Sequence, residues 1–192
     1  MDKHSFIDQY LKRTAQVANE ISRERLEKMA DILSITRQLQ GRVFFLGIGG
    51  GAASASHATN DFNKIANIST FCLTDNAGLF SALANDEGWD SVFKRQLEMH
   101  PLTAKDCLFI FSVNGGTQNI SGNLVKAMEY AKVIGARIVA VVGRATGVAA
   151  QMADACLVVP TVEESMVTPH TEDFQLVVNH LLINLLKQQG SY

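Results

Sequence analysis

Residues 42–62, RVFFLGIGGGAASASHATNDF, decide how this chain folds. Residues 43–46 form a short continuous apolar run, the pattern of a strand covered on both faces. Gly47, Gly49, Gly50 and Gly51 end the run, and small residues carrying His57 and Asp61 continue it as a helix. A strand, a glycine turn and a helix N-terminus make an anion-binding corner, because glycine lets backbone N–H groups approach a ligand closely. His57 and Asp61, four residues apart, share one face of the helix, so an imidazole and a carboxylate stand side by side beyond the corner.

Upstream, residues 1–41 read as two helices. Ser5 is the expected cap of the first, with Phe6, Tyr10, Leu11 and Ala15 as its apolar stripe, and Gly41 stops the second after Gln40. Downstream, apolar strands at 69–73, 107–112, 137–142 and 155–159 alternate with helices at 52–65, 89–98, 124–134, 147–152 and 171–187. This alternation predicts an α/β fold: a three-layer α/β/α sandwich around a five-stranded parallel sheet, flavodoxin-like, with two extra N-terminal helices. One domain over 1–192 is expected, with 1–41 a helical arm for oligomer packing and 42–192 the α/β core.

The composition, 47% hydrophobic and 19% charged over 192 residues, is that of a globular domain with a sizeable core. A net charge of −2 gives no basic footprint for nucleic acid or an anionic membrane. The N-terminus MDKHSFIDQY lacks the apolar core of a signal peptide, and no run reaches the roughly 18 apolar residues of a membrane span. The expected location is the cytoplasm, with no nucleic-acid or membrane partner. Cys72, Cys107 and Cys156 sit in separate apolar runs without a CxxC pair and read as buried thiols.

Ligands on parallel sheets bind beyond the carboxyl ends of the strands, so chemistry belongs in the loops that follow them. GIGGGA also fits a dinucleotide fingerprint, but its acidic partner would be Asp75 and two helices precede the strand, so a nicotinamide or flavin reading is the weaker one. In 74–89, TDNAGLFSALANDEGW, the pair Asn85-Asp86 makes a polar break that reads as a turn, and Trp89 as a core anchor. In 111–119, FSVNGGTQN, Ser112, Asn114 and Thr117 surround Gly115 and Gly116, a set suited to a phosphate cradle without lysine. The closing helix, capped by Thr171, has Phe174, Val177, Val178, Leu181 and Leu185 on its apolar side; Glu172, Gln175 and Asn179 share a second face, with His180 at its margin. His170, just ahead of it, reads as a solvated cap residue.

These motifs resemble the sugar isomerase (SIS) domain proteins and, within them, the phosphoheptose (sedoheptulose 7-phosphate) isomerases. The family's Gly-Gly-Ser turn and His-x-x-x-Glu helix match Gly49-Gly50-Gly51 and His57 with Asp61. Its Asn-Asp pair matches Asn85-Asp86, its phosphate loop Ser112, Asn114 and Thr117, and its final Gln and His, eight residues apart, match Glu172 and His180. Three departures stand out: Asp61 is one methylene shorter than the family's glutamate, Gly51 and Ile48 replace a serine and an asparagine, and the phosphate loop is longer.

The resemblance implies a phosphosugar isomerase taking D-sedoheptulose 7-phosphate to D-glycero-D-manno-heptose 7-phosphate through an enediol. It implies one zinc per subunit held by His57, Asp61, Glu172 and His180, with Asp61 and His180 as base and acid. Gly49, Gly50, Gly51, Asn85, Asp86, Ser112, Asn114, Thr117 and Glu172 would bind substrate, and the assembly would be a homotetramer. Glu172 and His180 stand about 12 Å apart along a straight helix, so both reach one ion only fully extended or from two subunits, which places the expected site at an interface. The competing expectation is a non-catalytic SIS protein that binds a phosphosugar as a regulator.

Overall fold

The computed structural model describes residues 2–117 and 119–189. Two helices, α1 (Lys3–Glu20) and α2 (Arg23–Gln38), precede the first strand, β1 (Val43–Gly47). There follow α3 (Gly50–Asp61), β2 (Thr70–Cys72), α4 (Ala77–Asp86), α5 (Val92–Met99), β3 (Cys107–Ser112) and α6 (Gly122–Ile134). The chain closes with β4 (Arg137–Val142), α7 (Val148–Met152), β5 (Ala155–Val158) and α8 (Val167–Gln189). A π-helical turn, Phe62–Ala66, extends α3, and 3₁₀ turns lead into α5 and α8.

All strand pairs are parallel, in the order β2-β1-β3-β4-β5. The strands are buried on both sides because successive residues alternate faces. Phe45, Phe109, Phe111, Val139, Val141 and Leu157 meet α2, α3 and α8 on one face. Phe44, Leu46, Leu108, Ile110, Ile138 and Ala140 meet buried residues of α4, α5 and α6 on the other. The three-layer α/β/α fold expected from the alternation is therefore present. The order reverses between β1 and β3, and the crevice beyond their carboxyl ends is where this architecture receives ligands.

Several local expectations are corrected. Asp2, not Ser5, caps α1: its carboxylate accepts from the Ser5 N–H at 3.0 Å. The expected turn at Asn85-Asp86 is the last turn of α4, a helix capped by the Asn76 carboxamide oxygen, which accepts from the Leu79 N–H at 3.0 Å. α8 begins at Val167, because Pro169 falls in the first turn, where its missing N–H has no intrahelical partner to lose. Thr171 is consequently internal and donates to the Val167 carbonyl at 2.6 Å.

His170 is likewise buried, its ring 5.3 Å from that of Tyr10. Trp89 is 46% exposed, edge-on to Phe80 at 5.6 Å, and is no core anchor. Cys72 and Cys107 are buried, whereas Cys156 is half-buried, its thiol pushed up to about 11 by burial against the opposing influence of Arg25. Among the described residues no helix is long and apolar enough to cross a membrane.

Candidate active site

The turn after β1 is shaped by close backbone approaches. Gly49 takes φ +60°, a left-handed conformation that favours glycine, and serves as N-cap of α3. A Cβ on Gly51 would stand 2.6 Å from the Phe111 carbonyl oxygen of β3, so α3 starts pressed against the neighbouring strand. A Cβ on Gly50 would meet the Glu172 carboxyl at 2.5 Å, so α8 brings its acid directly onto the first residue of α3.

These elements enclose a cleft of about 160 Å³ lined by Ile48 and Gly51 after β1, Ser112, Val113 and Asn114 at the end of β3, Ser121 before α6, and Glu172 and Gln175 of α8. The loop after β3 is held by its own side chains. The Ser112 hydroxyl oxygen accepts from the Gly115 N–H at 3.0 Å, and the Thr117 hydroxyl oxygen accepts from the N–H groups of Asn119 and Ile120 at 3.3 and 3.0 Å. A hydroxyl whose oxygen is already engaged keeps its hydrogen to donate, which suits an anion.

Farther along α3, His57 and Asp61 meet His180 of α8. The two Nε2 atoms are 2.9 Å apart, and Asp61 Oδ2 lies 3.1 Å from His57 Nε2 and 3.5 Å from His180 Nε2. The Asn179 side-chain NH₂ donates to Asp61 Oδ2 at 2.9 Å and that of Asn60 to Oδ1 at 3.2 Å, fixing a carboxylate that is 11% exposed between two far more open imidazoles. Ligand atoms around a tetrahedral zinc with bonds near 2.1 Å stand about 3.4 Å apart, and the observed separations bracket that value. Two imidazoles and a carboxylate thus fit a cation, and three protein ligands leave the open position of a catalytic site.

Other expected residues fall elsewhere. Glu172, expected as a fourth metal ligand, is not in this group: it stands over two turns of α8 from His180, and its carboxylate belongs to the cleft. Of the expected substrate residues, Gly51, Ser112, Asn114 and Glu172 line the cleft, Gly49 and Gly50 shape its turn, and Thr117 organises the loop beside it. Asn85 and Asp86 lie outside the cleft, exposed on α4 and hydrogen-bonded to each other at 2.8 Å. Asn179 and Gln175 were legible as a polar helix face but not as site residues, since only the packing of α8 on α3 gives them their places.

A family model described as SIS domain matches residues 5–143. The chain belongs to the SIS domain family. It is 32% identical over 186 residues to the lincomycin biosynthesis protein LmbN of Streptomyces lincolnensis, covering 93% of this chain and 67% of that protein. It is 31% identical over 170 residues to a phosphoheptose isomerase of Akkermansia muciniphila, covering 85% of each. In structure it matches the phosphoheptose isomerase GmhA from Neisseria gonorrhoeae with a TM-score of 0.84 at 22% identity, over 96% of this chain and 99% of that one. The SIS fold is thereby established, consistent with the sheet order described above.

Proposed function

We propose that this protein is a phosphosugar isomerase that interconverts a ketose phosphate and an aldose phosphate, with D-sedoheptulose 7-phosphate and D-glycero-D-manno-heptose 7-phosphate as the first pair to test. The observation that carries the reading is the convergence of His57, Asp61 and His180 where α3 and α8 pack together on one face of an SIS sheet. A binding module has no use for two imidazoles on a buried carboxylate, and this favours the enzyme over a regulator.

The exchange removes a proton from the carbon beside the carbonyl and returns one to the neighbouring carbon through a cis-enediol, so it needs a base and an acid. Asp61 is the base: Oδ2 faces the imidazoles, while Oδ1 has only the 3.2 Å bond from Asn60 to give up. His180 is the acid that exchanges a proton with the carbonyl oxygen. A zinc ion held by His57, Asp61 and His180 would supply positive charge to the oxygen that becomes negative. Asn179 keeps Asp61 aimed, and the Ser112–Ser121 loop holds the phosphate.

Within one chain the histidine–aspartate group stands about 10 Å along α3 from the cleft, from Gly50 to His57. A homotetramer in which each cleft faces the group of a neighbouring copy brings the two together. Exposed Val177 and Leu181 beside His180, and Phe6, Ile7 and Leu11 on α1, supply apolar surface for that contact. Each subunit would then carry one zinc.

Incubation with sedoheptulose 7-phosphate in D₂O, with zinc and after chelation, tests the reading by NMR. The expected result is an aldose phosphate carrying solvent deuterium at C2, with turnover lost on chelation and restored by zinc. No conversion by the zinc-loaded protein refutes the assignment for this substrate. Mixing Asp61→Asn subunits with Ser112→Ala/Asn114→Ala subunits should restore turnover if sites are shared; two inactive parents that stay inactive when reassembled refute the shared site.

A further inference from the structure

Gln175 is fully buried, and among the described residues neither its Nε2 nor its Oε1 has a hydrogen-bond partner. A leucine would pack there without stranding a donor and an acceptor, so folding alone does not account for the amide. The residue has a definite place. It lines the cleft with Gly51, Ser112, Ser121 and Glu172, one turn of α8 beyond the Glu172 carboxylate that rests on Gly50.

The chemistry of the neighbours narrows what the amide awaits. Glu172, when ionised, only accepts, and the loop hydroxyls after β3 are set to donate. A carboxamide presents a donor and an acceptor side by side on one rigid plane. A phosphate dianion satisfies its NH₂ and leaves its oxygen bare. Two neighbouring hydroxyls satisfy both ends, because each hydroxyl gives and takes a hydrogen bond.

The structure assigns Gln175 as the side chain that reads a pair of adjacent hydroxyls on the polyol chain of the substrate, an assignment that rests on the phosphosugar reading above. Its amide oxygen accepts from one hydroxyl, its NH₂ donates to the next, and Glu172 accepts from a hydroxyl alongside. Gln175 is therefore a specificity residue, separate from the groups that move protons and from the loop that holds phosphate.

Isothermal titration of the full chain with sedoheptulose 7-phosphate and with inorganic phosphate, for the wild type, Gln175→Leu and Gln175→Met, tests it. The wild type should prefer the sugar phosphate. Both variants should lose about ten-fold or more of that affinity while binding inorganic phosphate within about two-fold of the wild type, the loss of roughly one hydrogen-bonded contact. Their ligand-free melting temperature should hold or rise, since an unpaired amide has been removed. A wild type that does not prefer the sugar phosphate overturns the phosphosugar reading and this assignment with it. A preference that survives in either folded variant overturns the assignment alone, as does an equal loss for both ligands, which marks a distorted cleft.

Discussion

The two ends of the sheet hold their polar groups in opposite ways. At the amino end, Asp106 is buried just before β3, and every oxygen is used. Oδ1 accepts from the Arg42 backbone N–H at 2.8 Å and from its Nε at 3.1 Å, while Oδ2 accepts from Arg42 Nη2 at 2.7 Å and from the N–H and hydroxyl of Thr103 at 2.8 and 3.0 Å. At the carboxyl end, Gln175 is just as buried and neither end of its amide is bonded. Buried polarity that is satisfied within the chain ties strands together. Left unsatisfied beside a cleft, it marks where something else binds.

The contrast is open to measurement. The largest effect belongs to the functional groups, at Asp61 on α3: Asp61→Asn keeps the shape of the side chain but removes the base, and kcat should fall by at least about 10²-fold with the fold retained. Steady-state turnover and circular dichroism read both, and an active variant breaks the functional half of the comparison. At the amino end, Asp106→Asn should lower unfolding free energy by about 3 kcal/mol in denaturant titration, because it leaves Arg42 unpaired, while folded molecules keep their activity.

Burial pushes the Asp106 carboxyl up, but the Arg42 side chain and backbone N–H, with Thr103, outweigh it and hold the group below the usual carboxylate range. A depressed folded-state value contributes stability above the unfolded value near 3.9, and that stability is lost as pH falls through the folded value. The wild type should therefore lose this contribution only in acid, and Asp106→Asn should lack it at neutral pH.

Two smaller effects sharpen the same contrast. Thr117→Val removes the acceptor for Asn119 and Ile120 N–H groups, so KM for the phosphosugar should rise about ten-fold for a stability change near 1 kcal/mol. Arg13→Ala breaks the half-exposed 2.9 Å pair with Glu163 and should cost under about 1 kcal/mol by thermal melting, with no kinetic change.

The unequal legibility of the chain has the same physical root. The strands, the glycine turn and the pairing of His57 with Asp61 were readable because each rests on local spacing: continuous apolar runs, a cluster of glycines, a four-residue interval. α4 was hidden because residues 74–89 are rich in Asn, Asp and Gly, while the capping role of Asn76 and the Leu79, Phe80, Leu83 stripe are visible only once helical. Thr171 has the chemistry of a cap and so points to a later start for α8 than Val167, where Pro169 sits in the first turn. Glu172 shows the limit most plainly. Periodicity placed it on the correct helix face, but its partner is fixed by depth along the axis, and that depth depends on how α8 packs against α3.

The corner after β1 is set by main-chain contacts rather than by side chains: a Cβ on Gly47 would stand 2.3 Å from the Gly51 carbonyl oxygen, and one on Gly51 would meet Phe111. Ligand preference is consequently separable from scaffold geometry. Libraries that diversify positions 172 and 175 while freezing 47–51 offer the direct route to retargeting this enzyme fold toward shorter or longer sugars, with the backbone holding the entrance constant throughout selection.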